Sequence, residues 1–406
     1  MKVVTVTGQA WQRLCARRLI RKKRLEERVR TIIEDVRLHG DEAVLRYARR
    51  FDKVRLTAKQ LRVTQAETSG AFQHMDPNLV LHLKAAIQKV QAFYSKPRVK
   101  PVRIVDEDGV LVAEKFDALE RVGVYIPGGT ASLVSTVYMT VVPAQQAGVN
   151  QIALATPPRR DGSVDPHLLV VASLLHVDEI YKVGGIQAIA AFAMGTKTIP
   201  KVDKIVGPGN AYVMEAKRQV FGLVDVDTPA GPSEIAIIAN RYSNPQYVLT
   251  DLLAETEHAG GLGLLITTSK ALARLVRKQI PSGYCVVVKN LEEACEVANS
   301  LAPEHLQIMV KSPKKLLKKI THAGAIFLGP YSPVTVGDYI AGPSHVLPTG
   351  GAARVFSGLG VEDFIRRTHI ISYTKGALEK VREPIERLTA IEGLPRHYES
   401  VKVRLT

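Results

Sequence analysis

From residue 120 onward, short apolar, β-rich runs alternate with segments whose apolar positions recur at helical spacing. Strands are expected at 122–126, 151–155, 179–183 and 204–206, with helices near 137–147, 166–176, 186–194 and 210–220 between and after them. A second series follows, with strands at 234–238, 263–267, 284–288, 306–310 and 324–328. Its helices are expected at residues leading up to 258 and at 270–279, 291–301 and 313–320. Strands separated by ten to fifteen helical residues imply βαβ units and parallel sheets. Upstream, 10–50 reads as helices broken at Gly40, with Val44, Tyr47 and Ala48 on an apolar stripe. A helix over 76–95 starts at Pro77, which suits a first helical turn. Residues 100–115 read as strands around the turn Asp106–Gly109. Downstream, 329–353 is a Gly/Pro/Ser-rich functional loop, followed by a helix near 361–367, a strand at 369–373, a helix over 375–389 and a strand at 401–405.

Composition narrows the class. The chain has 406 residues, 46% hydrophobic and 23% charged, which suits a globular protein of two or three domains. No apolar run of eighteen residues occurs, and the N-terminus lacks the pattern of a secretory signal. Three scattered cysteines, Cys15, Cys285 and Cys295, do not make a disulfide framework, and a reducing cytoplasm fits them. About ten of the +16 formal charges fall in the first sixty residues, around Arg17–Arg24. No aromatic residues interleave there, and Glu26, Glu27, Glu34 and Asp35 follow at helical spacing, so a solvated helix face is favoured over a nucleic-acid site.

Several strand ends carry glycine and proline: Tyr125–Thr130, Lys182–Gln187 and Val206–Asn210. Each alone reads as a tight turn. Three in one unit favour a nucleotide or similar ligand, because glycine lets backbone N–H groups approach phosphate, although no Gly-x-Gly-x-x-Gly fingerprint is present. Glu255 and His258, three apart, share a face if the helix runs through His258, where Val248, Leu252 and Leu253 would pack inward. That pair is either half of a metal site or an ordinary surface pair. Glu304–His305, fixed by Pro303, offers a general base beside a water activator, or again a surface pair. Asp338 and His345 sit in the 329–353 loop, and Glu392 and His397 near the C-terminus. Glu255, His258, Asp338 and His397 together would make an oxygen/nitrogen shell suited to zinc, with manganese or cobalt as replacements. Spacing alone does not bring them together.

The segments Val122–Gly129, Val206–Val213, Pro229–Glu234, Ala302–Leu306, Gly337–Thr349 and Glu392–His397 resemble the histidinol dehydrogenase family, over nearly the whole chain. The resemblance implies an α/β homodimer of two incomplete Rossmann-like parallel-sheet units, with a helical N-terminal segment and an extended C-terminal tail. It implies a helical arm over 1–25, a first domain over 26–126 plus 236–372 with the metal and catalytic residues, an NAD-binding domain over 127–235, and a dimerisation tail over 373–406. The implied reaction is two NAD-dependent oxidations of L-histidinol to L-histidine through the aldehyde, ending histidine biosynthesis in the cytoplasm. The implied zinc, one per subunit, is held by Glu255, His258, Asp338 and, from the other subunit, His397; it binds and orients the substrate. His305 is implied as the general base and Glu304 as the activator of water. Ser233 and Glu392 match substrate positions, Glu392 like His397 across the interface, and the metal ligands and His305 line the same pocket. Tyr125, Gln187 and Asn210 match NAD positions, and His345 lies nearby. No nucleic-acid or membrane partner is expected. The alternative is a zinc- and NAD-dependent paralogue oxidising another small alcohol, such as a sulfonated diol. Two departures stand out. Glu255 occupies a position usually held by Gln, and Ala259-Gly-Gly-Leu replaces an acidic, serine-containing run.

Overall fold

The computed structural model describes the chain apart from residues 18–22, 74, 97–99, 129–132, 229–230, 259 and 281. Parts of the basic run Arg17–Arg24, of the Tyr125–Thr130 loop and of the Pro229–Glu234 segment, together with Ala259, therefore lie outside the described residues. The alternation produces two parallel sheets. One has five strands in the order Glu179–Lys182, Gln151–Thr156, Arg121–Tyr125, Lys204–Val206 and Asp225–Val226. The other has six: Lys2–Val3, Tyr284–Val287, Leu262–Thr267, Glu234–Ala239, His305–Met309 and Ala325–Leu328. The central strands are almost wholly apolar, as strands covered on both faces must be.

The chain divides into two compact units. The first comprises Met1–Lys96 with Glu120–Phe364, and the second Pro97–Leu119 with Ile365–Thr406. Both parallel sheets are in the first. The helix Lys23–Tyr47 bends at Gly40, which takes the positive φ of 50° that a side chain resists. Its Val29, Ile32, Ile33, Val36 and Val44 pack with Phe192 and Ala193 of the helix Gly185–Met194 in the core of the five-stranded sheet. Each such burial stabilises by roughly 1.5–3 kcal/mol. This helix thus packs on the sheet that carries the glycine-rich loops. Residues 2–3 extend the six-stranded sheet, and Trp11 and Leu14 of the helix Gln9–Cys15 enter its core.

The second unit holds an antiparallel sheet of Arg103–Val105, Leu111–Ala118 and Ile365–Ser372, with helices Lys375–Lys380, Arg382–Ile391 and Pro395–Lys402. The expected strand at 401–405 is instead the end of the last helix and its turn. The helix expected at 361–367 is a single 3-10 turn, Val361–Phe364, after which the chain pairs as a strand. Among the described residues no helix is long and apolar enough to cross a membrane.

Candidate active site

The helix Pro245–Thr256 starts on the cap of Asn244, whose side chain accepts from Gln246 N–H, with Pro245 in the first turn. Val248, Leu249, Leu252 and Glu255 form its buried face; Leu253, expected inward, is 38% exposed. The helix ends before His258, so Glu255 and His258 do not share a helical face as predicted. His258 follows in the terminal turn and is exposed. Gly260 there has φ +82°, and a Cβ on Gly261 would run into the carbonyl of Glu255. Glycine therefore folds the chain straight into the strand Leu262–Thr267, and the helix C-terminus, with its partial negative charge, stays next to the Glu255 carboxylate.

His305 opens the strand His305–Met309, paired with Ile235 on one side and Ala325 on the other. It therefore lies at the amino-terminal edge of the six-stranded sheet. The left-handed Ala302 (φ 48°) and Pro303 turn the preceding helix, Leu291–Leu301, into this strand. Glu304 is buried, and its Oε2 accepts from the Glu234 N–H at 2.9 Å and the Ser233 hydroxyl at 3.1 Å. His305 packs edge-on against Phe327, with ring centroids 5.9 Å apart. Gly337 lets the short helix Val334–Tyr339, which carries Asp338, lie against Phe327, since a Cβ there would meet its ring at 2.7 Å.

Donor atoms of Glu255, Glu304 and His305 lie within 4.8 Å of one another. His305 Nδ1 is 3.3 Å from Glu255 Oε2, and Nε2 is 4.0 Å from Asp338 Oδ1. Burial disfavours the imidazolium, but the Glu255, Glu304 and Asp338 carboxylates outweigh that and push His305 up to about 9. Burial pushes Glu304 up to about 8, with Glu255 adding to the effect and His305 opposing it. Burial also raises Asp338, against the pull of His305. For Glu255 burial acts upward, yet His305, Ser233 and His258 together hold it below its ordinary value. Glu255 Oε1 is nevertheless buried with no hydrogen-bond partner among the described residues. Three carboxylates around one imidazole, an acceptor without a donor and a helix C-terminus all suit a divalent cation.

The structure thus gathers Ser233, Glu255, Glu304, His305 and Asp338, with the charge of His258 felt by both Glu255 and Asp338. Glu392 and His397 belong to the second unit, where both are exposed. His345 is half-buried, and its Nδ1 lies 2.8 Å from the Asp338 carbonyl. A carbonyl only accepts, so Nδ1 carries the hydrogen and Nε2 accepts from the Thr136 hydroxyl at 3.2 Å. Burial pushes His345 down to about 4, which keeps it neutral. Sequence reasoning missed the clamp beneath Glu304. Arg17 donates to both carboxylate oxygens of Glu234 at 2.6 Å, tying the N-terminal segment to the strand that holds Glu304. The only signal for it was the Glu at the end of the Pro229–Glu234 segment.

The glycine loops lie at the carboxyl ends of the five-stranded sheet, where ligands of open parallel sheets bind. The Tyr125 hydroxyl accepts from Gly185 N–H at 3.0 Å. Gln187 is 1% exposed, yet both its amide atoms lack partners among the described residues. Gly207 has φ +114°, and a Cβ would enter the backbone of Tyr125. Asn210 caps the helix Ala211–Val220, its Oδ1 accepting from Tyr212 and Val213 N–H.

Close-packed loops at strand carboxyl ends, with a buried carboxylate–imidazole cluster elsewhere in the same unit, define an α/β protein with two candidate sites, one suited to a nucleotide and one to acid–base or metal chemistry. The family model described as histidinol dehydrogenase matches residues 15–405. The histidinol dehydrogenase of Heliobacterium mobile is 44% identical over 95% of this chain and 96% of its own length. That of Listeria monocytogenes is 45% identical over 94% and 93%. The crystal structure of histidinol dehydrogenase from Elizabethkingia anophelis superposes with a TM-score of 0.93 at 34% identity, covering 100% of this chain and 98% of that one. The chain belongs to the histidinol dehydrogenase family and is an oxidoreductase.

Proposed function

We propose that this protein oxidises L-histidinol to L-histidine through L-histidinaldehyde, in two NAD-dependent steps that close histidine biosynthesis. The observation that carries the reading is the buried cluster of Glu255, Glu304 and His305 in a chain of this family. His305 takes the hydroxyl proton as hydride leaves the histidinol carbon, returns it to the carbonyl oxygen as water adds to the aldehyde, and takes it again as the second hydride leaves the hydrate. Glu304, fixed by Ser233 and Glu234, acts in its ionised form, which its pKa of about 8 makes more abundant as pH rises, and takes the proton of the water that adds to the aldehyde. Holding the aldehyde in one site through both steps keeps a reactive carbonyl from escaping.

Glu255, His258 and Asp338 are the residues of this chain that would hold zinc, and the unpartnered Glu255 oxygen supports that choice. Bound zinc supplies a Lewis-acid anchor that fixes the substrate's imidazole and amine for hydride transfer. We assign the fourth ligand to His397, and a substrate contact to Glu392, from the other subunit of a homodimer, with 373–406 as the dimerisation tail. Tyr125, Gln187 and Asn210 are assigned to NAD, the hydride acceptor, in a domain centred on the five-stranded sheet. The unpartnered Gln187 amide supports this, whereas the Asn210 Oδ1 is already engaged as a helix cap, so its contact would fall to the amide nitrogen. All three cysteines are free, in keeping with the cytoplasmic placement proposed here. The alternative, oxidation of another small alcohol such as a sulfonated diol, is not favoured, because the histidinol dehydrogenases match along nearly the full chain. The test is NADH formation from L-histidinol before and after chelation. Two NADH per histidinol, lost on chelation and regained with zinc, are expected. No turnover with zinc bound would sink the substrate assignment.

A further inference from the structure

The helix Lys23–Tyr47 continues into a π-helical turn, Ala48–Asp52, closed by the left-handed Lys53 (φ 60°). This turn carries Asp52 towards the carboxyl end of the five-stranded sheet. Phe51 packs on the core that includes Tyr125, Tyr181 and Ile186. Asp52 Oδ2 is buried and has no hydrogen-bond partner among the described residues. Asp52 is close enough to Tyr125 for its charge to act on the phenol. The Tyr125 hydroxyl in turn receives Gly185 N–H, and a Cβ on Gly185 would stand 3.2 Å from Gln187 Oε1. Asp52, Tyr125, Gly185 and Gln187 thus form one neighbourhood. It contains a carboxylate oxygen and a whole amide group for which the described residues supply no partners.

We propose that Asp52 binds the cofactor, its carboxylate accepting hydrogen bonds from the vicinal hydroxyls of a ribose of NAD, beside the Gln187 amide. A buried acceptor without a donor disfavours the folded chain unless a ligand supplies one. The ligand must donate, because a carboxylate repels phosphate, and a vicinal diol offers two O–H donors to one carboxylate. Burial raises the pKa of this group.

This inference rests on the NAD-dependent reading above. Its test is calorimetric titration of NAD into the zinc-loaded protein without histidinol, for the wild type, Asp52→Asn and Asp52→Ala, alongside thermal melts and zinc content. The expected result is NAD binding weakened roughly tenfold or more in both variants, with zinc content and the KM for histidinol unchanged. Asp52→Asn should melt no lower than the wild type, since it removes an uncompensated buried charge. Weaker binding in a protein at least as stable is not what a purely structural role produces. If both variants bind NAD within twofold of the wild type, the inference is wrong and the functional reading stands. A wild type that binds no NAD overturns both.

Discussion

His305 and Glu255 face each other across 3.3 Å in a buried site, Nδ1 towards Oε2, without making a hydrogen bond. In the protein without metal that carboxylate helps to keep the imidazole protonated. A base must be neutral to accept a proton, so Glu255 has to place its charge elsewhere, and a bound cation is the natural recipient. Glu255→Gln keeps the shape and an oxygen donor but removes the charge. We expect it to weaken zinc retention on the order of tenfold, read as the metal fraction left at graded chelator concentrations. Equal or better retention would show that the carboxylate charge does not hold the metal.

His305→Asn should lower turnover by roughly 10²–10⁴-fold, the range for loss of a general base. Fold and zinc content should persist, because Asn fits beside Phe327 and Glu255 remains. Circular dichroism, metal analysis and steady-state rates check this together. Near-normal turnover would remove His305 from the role of base.

How much of this was legible in the sequence depends on how local each feature is. The alternation of strands and helices, the Pro77 and Gly40 signals and the Glu304–His305 pair are set by residues close in the chain, and the structure keeps them. Leu253 and His258 were misjudged because the helix turns Leu249, Leu252 and Glu255 inward and then stops at a glycine turn whose tightness depends on contacts with Glu255 itself. The Arg17–Glu234 clamp joins residues 217 apart and leaves no periodic trace. Asp52 reads as one more charged residue in a basic segment, because nothing beside it in the chain marks its Oδ2 as buried. Glu304 and His305, the proposed catalytic pair, lie at the amino-terminal edge of their sheet, against the usual rule for parallel strands, so topology alone would not have located them.

Lys217 and Asp227 form an ion pair at 2.6 Å, with side chains 2% and 3% exposed. They close on the Gly207 peptide from both sides: its N–H donates to Asp227 Oδ2, and its carbonyl accepts from Lys217 Nζ. Burial opposes the charge on each partner, and their mutual attraction offsets it in part. Asp227→Asn leaves Lys217 buried without its counter-ion and should cost about 3–5 kcal/mol. The double variant Lys217→Met, Asp227→Leu should cost less, since no charge is stranded. In both, release of the Gly207 loop should raise the KM for NAD more than that for histidinol. Denaturant titration and paired KM measurements test this, and equal effects on both KM values would contradict the positioning role.

If His397 acts across a homodimer, two inactive variants should complement each other. Mixed dimers of His305→Asn with His397→Ala carry one site that combines an intact His305 with an intact partner histidine. About a quarter of wild-type activity is the recovery expected after full subunit exchange, since random pairing makes about half of the dimers mixed and each mixed dimer has one working site of two. No recovery despite exchange shown by native mass spectrometry would place His397 outside the shared site.

Asp52 also makes stability depend on pH, with a sign set by burial. Its pKa is pushed from 3.8 up to about 6 in the folded chain. The folded state therefore holds this proton more tightly than the unfolded state. Its stabilising contribution is complete below about pH 4, falls as pH rises through 6, and is absent above that. Asp52→Asn has no proton to lose, so its stability relative to the wild type should climb between pH 4 and 7 by about 1–3 kcal/mol. Urea titrations of both proteins across that range, without NAD, measure the difference directly. A flat difference would mean that the Asp52 carboxylate already has a partner in the folded protein. Saturating NAD should shrink the climb, because the ribose hydroxyls stabilise the same charge that burial disfavours.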